Sequence, residues 1–376
     1  MVRGHGGEEA REARGGSAPA PVSGSREWRV YRGSAGPVPA VPLTERLPPP
    51  PPWRDFDGGP VVPGPPPDDA ATTLRLLGAG DTSSQAVSDQ EVDMVNAALL
   101  LRRPLIVTGP LGSGKSSLAY RVSRELGLGR VLHWRITNSS TLSEGLYGYD
   151  AIGRLQDAAV RGAPHDRVGE GHPDQDGRTT AGSIGDFFQL GPLGTALIPR
   201  EAPRVLLIDD LDKADLDLVD GLTGILADGE FRIPELSRVR SRTPDVVVHT
   251  DDPVGAVTIR HGTIRCRAFP FVVITRTGER LLPPDLLRHC LSLELPPPNA
   301  ERLADVLAAQ FATGDGAERL TMIRDFLARS IAGGTLASDQ LLDSEYLRTT
   351  SSGPDKTSLD RLLHALWQRL DETGPG

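Results

Sequence analysis

The chain has 376 residues, a formal net charge of −9 at pH 7 and a pI of about 5.5. This length leaves room for two or three domains, or for one large module. The negative charge provides no field that would gather nucleic acid over the whole surface, so no nucleic-acid partner is expected. The two cysteines are far apart in sequence, and no stretch reaches the roughly 18 apolar residues that cross a bilayer. We therefore expect a cytoplasmic chain without a membrane span and without a disulfide framework.

Residues 1–72 are rich in proline, glycine and charged residues. A segment of this composition cannot bury enough apolar surface to offset its chain entropy, which predicts a mostly disordered arm whose removal leaves the rest folded. Four aromatic residues interrupt it: Trp28, Tyr31, Trp53 and Phe56. Aromatic residues on a polyproline background often dock on a partner or on the chain's own body, so docking is the alternative to disorder here.

From Asp89 onward the pattern alternates between helices and short apolar strands. Apolar residues at helical spacing predict a helix from Asp89, then a buried strand at 104–108 and a second helix at 116–126. Further strands are predicted at 130–136, 204–209 and 269–275. This alternation is typical of an α/β fold with a parallel sheet covered on both faces.

Two insertions and a helical end complete the pattern. The segment from Asp157 to Ser183 has little periodicity and is predicted to be an exposed insertion, in which His165 and His172 match no recurrent metal-ligand spacing. The stretch 237–267 predicts a hairpin that turns at His261-Gly262 and projects from the sheet. After residue 296 the apolar spacing becomes helical.

Residues 109–116 read Gly-Pro-Leu-Gly-Ser-Gly-Lys-Ser, which matches G-x-x-x-x-G-K-[ST] between a predicted strand and a predicted helix. Backbone N–H groups of such a loop surround the β- and γ-phosphates, the lysine reaches the same oxygens, and the following hydroxyl holds Mg²⁺. A chance match in a glycine-rich chain is the alternative, but lysine is scarce here. The pattern predicts an ATP site with Mg²⁺ at Ser116, formed by Gly109, Pro110, Leu111, Gly112, Ser113, Gly114, Lys115, Ser116 and Ser117.

Four apolar residues at 205–208 run into two carboxylates, Asp209 and Asp210. A central parallel strand presents such residues at its carboxyl end. Asp209 is expected to coordinate Mg²⁺, directly or through water, and Asp210 to orient and polarise the attacking water. An ordinary acidic strand end is the alternative.

These two motifs, the helical C-terminal part and the segment after Asp210 resemble the AAA+ superfamily, specifically its MoxR-like branch. The segments 190–193, 211–215 and 229–236 carry the closer resemblance, which covers roughly 91–370, and Arg-Val-Tyr-Arg-Gly and Pro-Pro-Pro-Trp-Arg in the arm resemble actinobacterial members. The resemblance implies a P-loop NTPase sheet followed by a small helical lid. The expected division is an arm at 1–72, an AAA+ nucleotide-binding domain at 73–296 and a lid at 297–376.

The same resemblance assigns further roles and exposes four departures. Thr277 aligns with the sensor 1 residue that helps place the water, where asparagine is usual, and Arg288 aligns with an arginine finger whose usual second arginine is His289. Asp210 stands where the family has glutamate, and no sensor 2 arginine is evident near 337–340. The phosphate-binding residues are intact, so nucleotide binding has more support than turnover.

Two functions from different classes remain open. The first is an ATPase motor that hydrolyses ATP between subunits of a ring, expected to be a hexamer. It would remodel a protein client in a chaperone-like manner, alongside a partner with a von Willebrand A domain. Phe187 and Phe188 are either aromatic residues of a pore loop that grips the client or residues of the hydrophobic core. The second is a nucleotide-gated scaffold with slow or absent hydrolysis. A nucleic-acid remodeller has little support, because no basic stripe or recognition motif is visible.

Overall fold

The computed structural model describes residues 28–34, 41–63, 69–78, 87–162, 183–278, 280–311, 316–331, 336–350 and 355–367; His165 and His172 lie outside these ranges. The helices are α1 (Leu43–Arg46), α2 (Ala70–Leu77), α3 (Asp89–Leu101), α4 (Lys115–Leu126), α5 (Leu142–Leu146), α6 (Ala151–Gly162), α7 (Pro192–Ala196), α8 (Leu216–Asp228), α9 (Pro234–Val239), α10 (Pro284–His289), α11 (Ala300–Gln310), α12 (Gly316–Ile331), α13 (Ser338–Thr349) and α14 (Lys356–Leu366). The strands are β1 (Leu105–Thr108), β2 (Leu132–Arg135), β3 (Tyr147–Tyr149), β4 (Phe188–Leu190), β5 (Val205–Asp209), β6 (Glu230–Arg232), β7 (Asp245–His249), β8 (Ala256–Arg260), β9 (Thr263–Arg265), β10 (Phe271–Thr275) and β11 (Leu291–Glu294). Across these ranges, no helix combines the length and apolar character needed to cross a membrane.

Five parallel strands form the main sheet in the order β11, β1, β10, β5, β2. The strands predicted at 104–108, 130–136, 204–209 and 269–275 are confirmed as β1, β2, β5 and β10, and β11 adds an edge that was not predicted. Because all five strands run in one direction, the residues that follow β1, β5 and β10 emerge at the same edge of the sheet.

Helices cover both faces of this sheet, as predicted. Leu105 and Val107 point into a core shared with α3 and α4, whereas Ile106 points into the opposite core with Leu193 of α7 and Leu222 of α8. Alternate residues of a strand face opposite sides, so burial on both sides requires the continuous apolar runs seen in the sequence. The α/β class and the helix-covered parallel sheet are therefore confirmed.

A second, six-stranded sheet has the order β3, β4, β7, β8, β9, β6. The hairpin predicted to turn at His261-Gly262 is confirmed as β8 and β9, with φ of 53° and 72° at the two turn residues. A side chain at Gly262 would place its Cβ 2.5 Å from the Ser237 amide nitrogen, so the turn needs glycine there. Strands β3, β4 and β6 have three residues each, too few to carry a sequence signal, and the five-residue β7 was not predicted.

The aromatic pair Phe187 and Phe188 occupies two environments. Phe188 is buried and stacks on Tyr149 with ring centroids 4.4 Å apart, while Phe187 is half-buried. The structure thus supports the core interpretation for Phe188.

The expectation of a mostly disordered arm is wrong for residues 28–34 and 41–63, which pack on the body. Tyr31 is 1% exposed, and the Asn96 side chain accepts hydrogen bonds from the Val30 and Tyr31 amides at 2.6 and 3.0 Å. Its amide group also donates to the Tyr31 carbonyl at 2.7 Å. Composition predicted too little apolar surface for an independent fold, but a few apolar residues suffice when the body supplies the opposing core and the polar partners.

A second anchor of the arm is Arg54. Its guanidinium donates to the Arg102 carbonyl at 2.8 and 2.9 Å, and to the Leu226 and Ala227 carbonyls at 3.0 Å each. These carbonyls lie at the C-terminal ends of α3 and α8, where helices leave acceptors unsatisfied. The same guanidinium lies 4.1 Å from the centroid of the Phe269 ring. One arm residue therefore joins two helix ends.

The C-terminal helices α11 to α14 confirm the helical prediction after residue 296. Leu303, Leu307 and Phe326 form a core of their own with Leu341 and Trp367. The Trp367 ring meets the Phe326 ring edge-on with centroids 5.7 Å apart. This core is distinct from the two cores on the main sheet.

Candidate nucleotide-binding site

The predicted phosphate loop connects β1 to α4 at the carboxyl edge of the main sheet. Gly109, Gly112 and Gly114 have φ of 148°, 72° and 82°. A Cβ at Gly109 would lie 2.6 Å from the Leu295 carbonyl oxygen, and one at Gly112 2.6 Å from the Ser338 hydroxyl. Residues with side chains are excluded at these positions by backbone conformation and by space. Helix α4 starts directly after the loop, so the positive end of its dipole lies there.

Lys115 crosses this loop. Its Nζ donates to the Gly109 carbonyl at 2.8 Å and to the Pro110 carbonyl at 2.9 Å, and the residue is 8% exposed. Burial lowers the pKa of Lys115 from its ordinary value, and the nearby carboxylates of Asp209 and Asp210 offset part of that effect. A shielded cation held in this way interacts more strongly with an anion than one in bulk water.

Asp209 sits at the end of β5 within a set of hydrogen-bond donors. Ser116 Oγ donates to its Oδ1 at 2.8 Å, Thr275 Oγ1 donates to the same oxygen at 2.6 Å, and His133 Nε2 lies 3.3 Å from Oδ2. Burial alone would raise the pKa of Asp209, but the hydrogen bonds from His133, Thr275 and Ser116 lower it to about 2. The carboxylate is thus ionised at neutral pH, and together with the Ser116 hydroxyl it offers the oxygen ligands that Mg²⁺ prefers.

Asp210, the predicted water-polarising residue, is engaged in an ion pair. Its Oδ2 lies 2.7 Å from Lys213 Nζ, one helical turn further along the chain. The backbone is in the left-handed region, with φ of 61°, and its amide donates to Thr275 Oγ1 at 2.9 Å. The carboxylate is therefore close to Asp209 in sequence but is held by an ammonium group.

The structure separates the predicted Thr277 from this carboxylate pair. Thr277 Oγ1 donates to Asp212 Oδ2 at 2.9 Å, and its amide donates to the same atom at 3.1 Å. The Thr275 hydroxyl instead donates to the Asp209 carboxylate and accepts from the Asp210 amide, and Thr275 was not predicted as a site residue. Its position gave a usable signal: β10 pairs with β5, with Ile274 opposite Ile208, so the last residue of β10 must lie beside Asp209.

Arg288, the predicted arginine finger, lies on α10 with its side chain 69% exposed. Its ionic partner is Asp285 in the preceding turn, at 3.3 Å. The structure therefore places Arg288 on the surface rather than at the loop.

A cavity of about 140 Å³ opens beside the loop. Its polar walls include Gly112, Gly114 and Ser117, and its apolar walls come from α2, α11 and α13. The Ser338 hydroxyl at the start of α13 donates to the Gly112 carbonyl at 3.0 Å. Arg302 of α11 also lines this cavity, and neither Ser338 nor Arg302 was predicted as a site residue. A larger cavity of about 620 Å³ between the arm and the body shares no residue with the loop.

The residues at the loop fit a magnesium-bound nucleoside triphosphate. Glycines leave its surface free of side chains, Lys115 supplies a cation, and Ser116 with Asp209 supplies metal ligands. Within the described ranges, the buried Ser113 hydroxyl has no hydrogen-bond partner. The neighbouring cavity, with apolar walls, suits a flat base.

No protein-family model matches this chain, and no curated protein matches it either. The function of the chain is therefore inferred from the geometry of the loop and the residues around it.

Proposed function

We propose that the chain is an AAA+ ATPase of the MoxR-like branch that binds ATP with Mg²⁺ at residues 109–117. One contact carries the proposal: Ser116 Oγ meets Asp209 Oδ1 at 2.8 Å although the two residues are 93 positions apart. The two residues belong to separate sequence motifs. In a nucleoside triphosphate site these motifs supply neighbouring ligands of one Mg²⁺ ion, so the two side chains are expected to lie side by side. Chance matches of either motif would not be expected to place the two metal-ligand positions together.

The residues divide the work as follows. ATP with Mg²⁺ supplies the transferable phosphoryl group. Lys115 and the start of α4 offset phosphate charge, and Ser116 and Asp209 hold the metal. Asp210 orients water once its carboxylate is released from Lys213, and Thr275 holds the Asp209 carboxylate and the Asp210 backbone amide.

The proposed function extends to assembly of the chain into a ring and to action on a protein client. The exposed position of Arg288 agrees with an arginine finger that reaches a neighbouring subunit, as in a ring, proposed to be a hexamer. The C-terminal helices would serve as the lid. By resemblance, the ring remodels a protein client in a chaperone-like manner, with a von Willebrand A partner.

The metal site gives the direct test of this proposal. In EDTA, Asp209→Asn is expected to bind a fluorescent ATP analogue with nearly the parent's affinity. Most of the increase in affinity that Mg²⁺ produces should disappear, because the substitution removes only the anionic metal ligand. Titration with and without Mg²⁺ measures this. Asp217→Asn, an exposed position on α8, is the matched control and should behave like the parent. A full magnesium-dependent gain in Asp209→Asn would remove the support for the site.

A scaffold with slow hydrolysis is the second candidate, and the Asp210–Lys213 ion pair favours it. A carboxylate oxygen held by an ammonium at 2.7 Å is turned toward that partner rather than toward a water, and aspartate is one methylene shorter than the family's glutamate.

Asp210→Glu is expected to raise steady-state ATP turnover several-fold, because the longer side chain can extend past Lys213 toward the metal. A tenfold gain corresponds to about 1.4 kcal/mol of barrier, a modest demand for one repositioned group. Affinity for ATP should stay near the parent value, and Asp210→Asn should abolish turnover. If parent and Asp210→Glu both bind ATP without measurable turnover, the scaffold function is the correct one.

A further inference from the structure

We propose that Arg302, on α11, contacts the phosphate chain of the nucleotide bound at residues 109–117. Because this contact requires a phosphate on the loop, it rests on the function proposed above. The guanidinium lies against the loop: Arg302 Nη2 is 2.9 Å from the point that a Cβ at Gly114 would occupy. Gly114 immediately precedes Lys115, so the guanidinium lies against the backbone of the loop, one residue before its lysine.

The guanidinium projects from a well-anchored helix. The Asn299 side chain caps α11 by accepting from the Arg302 amide at 2.8 Å, and the neighbouring Leu303 is buried in the core of the C-terminal helices. On the other side of the cavity, the hydrogen bond from Ser338 ties α13 to the loop. The base of the Arg302 side chain is therefore fixed relative to the loop, as a phosphate ligand requires.

The charges around the cavity leave Arg302 without a counterion. Among the described residues that line it, only Arg121 and Arg302 are charged. Arg121 is paired with Glu91 at 2.8 Å, whereas the Arg302 guanidinium has no acceptor in the described part of the chain. Burial lowers the pKa of Arg302, neighbouring Arg121 lowers it further, and Glu91 and Tyr31 offset part of this effect. A shielded guanidinium beside a like charge is costly unless an anion joins it, and guanidinium is the side-chain group best matched to phosphate.

Competition by inorganic tripolyphosphate tests this directly, because the probe has phosphates but no base or ribose. Displacement of a fluorescent ATP analogue by this anion is measured for the parent and for four variants: Arg302→Gln, Arg302→Lys, Lys115→Ala and Arg324→Gln. Arg324→Gln is the matched control, since Arg324 is exposed on α12. Arg302→Gln is expected to lower the affinities for tripolyphosphate and for ATP by a similar factor of about ten or more. Arg302→Lys is expected to recover part of both affinities.

The outcomes separate this inference from the function on which it rests. If Lys115→Ala weakens tripolyphosphate but Arg302→Gln does not, the loop binds phosphate and Arg302 has no part in it. If Arg302→Gln weakens ATP alone, the side chain contacts base or ribose and the inference is wrong. If the parent binds neither probe, both this inference and the proposed function are wrong.

Thermal melting distinguishes a ligand contact from a structural one. Removing an uncompensated cation should leave the melting temperature of nucleotide-free Arg302→Gln equal to that of the parent or slightly higher, while the rise produced by ATP becomes smaller. A clearly lower melting temperature without nucleotide, together with an unchanged ATP-induced rise, would assign Arg302 to packing and overturn the phosphate contact.

Discussion

Lys115→Ala is expected to lower the affinity for a fluorescent ATP analogue by about a hundredfold or more. A hydrogen bond to a charged group contributes about 1.5–3 kcal/mol, and the ammonium can make more than one with a triphosphate. The cation is also shielded within the loop, where its two acceptors are the Gly109 and Pro110 carbonyls. The chain has two other lysines, Lys213 and Lys356, and neither belongs to the loop.

Fluorescence titration measures this loss, with Lys356→Ala as the matched control. The control should bind like the parent, since Lys356 starts α14 and does not belong to the loop at 109–117. Thermal melting of Lys115→Ala confirms that the variant is folded. Equal affinity in Lys115→Ala and the parent would refute the phosphate-loop assignment and with it the proposed ATPase.

Removal of residues 1–63 is expected to destabilise the chain strongly, opposite to the expectation from composition. Val30, Tyr31 and Leu43 are each at least 94% buried, and burial of such a side chain contributes about 1.5–3 kcal/mol. Deletion also leaves the Asn96 side-chain oxygen and the carbonyls bound by Arg54 without the partners that the arm supplies. A total of roughly 5 kcal/mol would lower the melting temperature by about 6 °C in a chain of this size.

Two comparisons make this result specific to the docked segment. Removal of residues 1–27 alone should leave the melting temperature near the parent value, because the described contacts of the segment 28–34, which anchor the arm, are kept. Tyr31→Ala should cost about 3 kcal/mol, whereas Trp53→Ala should change stability by less than about 0.5 kcal/mol, since Trp53 is 75% exposed. An unchanged melting temperature after removal of 1–63 would show that the arm contributes nothing to the fold.

The sequence by itself determined the features that local pattern controls. Continuous apolar runs specify strands buried on both faces, which is why β1, β2, β5 and β10 were predictable. The glycines and Lys115 in the loop at 109–116 specify its conformation and charge, and His261-Gly262 specifies a hairpin turn. These features depend on neighbours within a few residues, so they are visible without the tertiary structure.

Only the tertiary structure decided which distant side chains meet. It placed Thr275 rather than Thr277 beside Asp209, although both residues follow the same apolar run. It also brought Ser338 onto Gly112 across 226 positions, and Arg302 onto Gly114. Docking of the arm likewise depends on Asn96 and on the helix ends that receive Arg54, none of which the composition of the arm contains. Such contacts follow from how helices pack on the sheet, and packing combines residues whose separation along the chain carries no periodic signal.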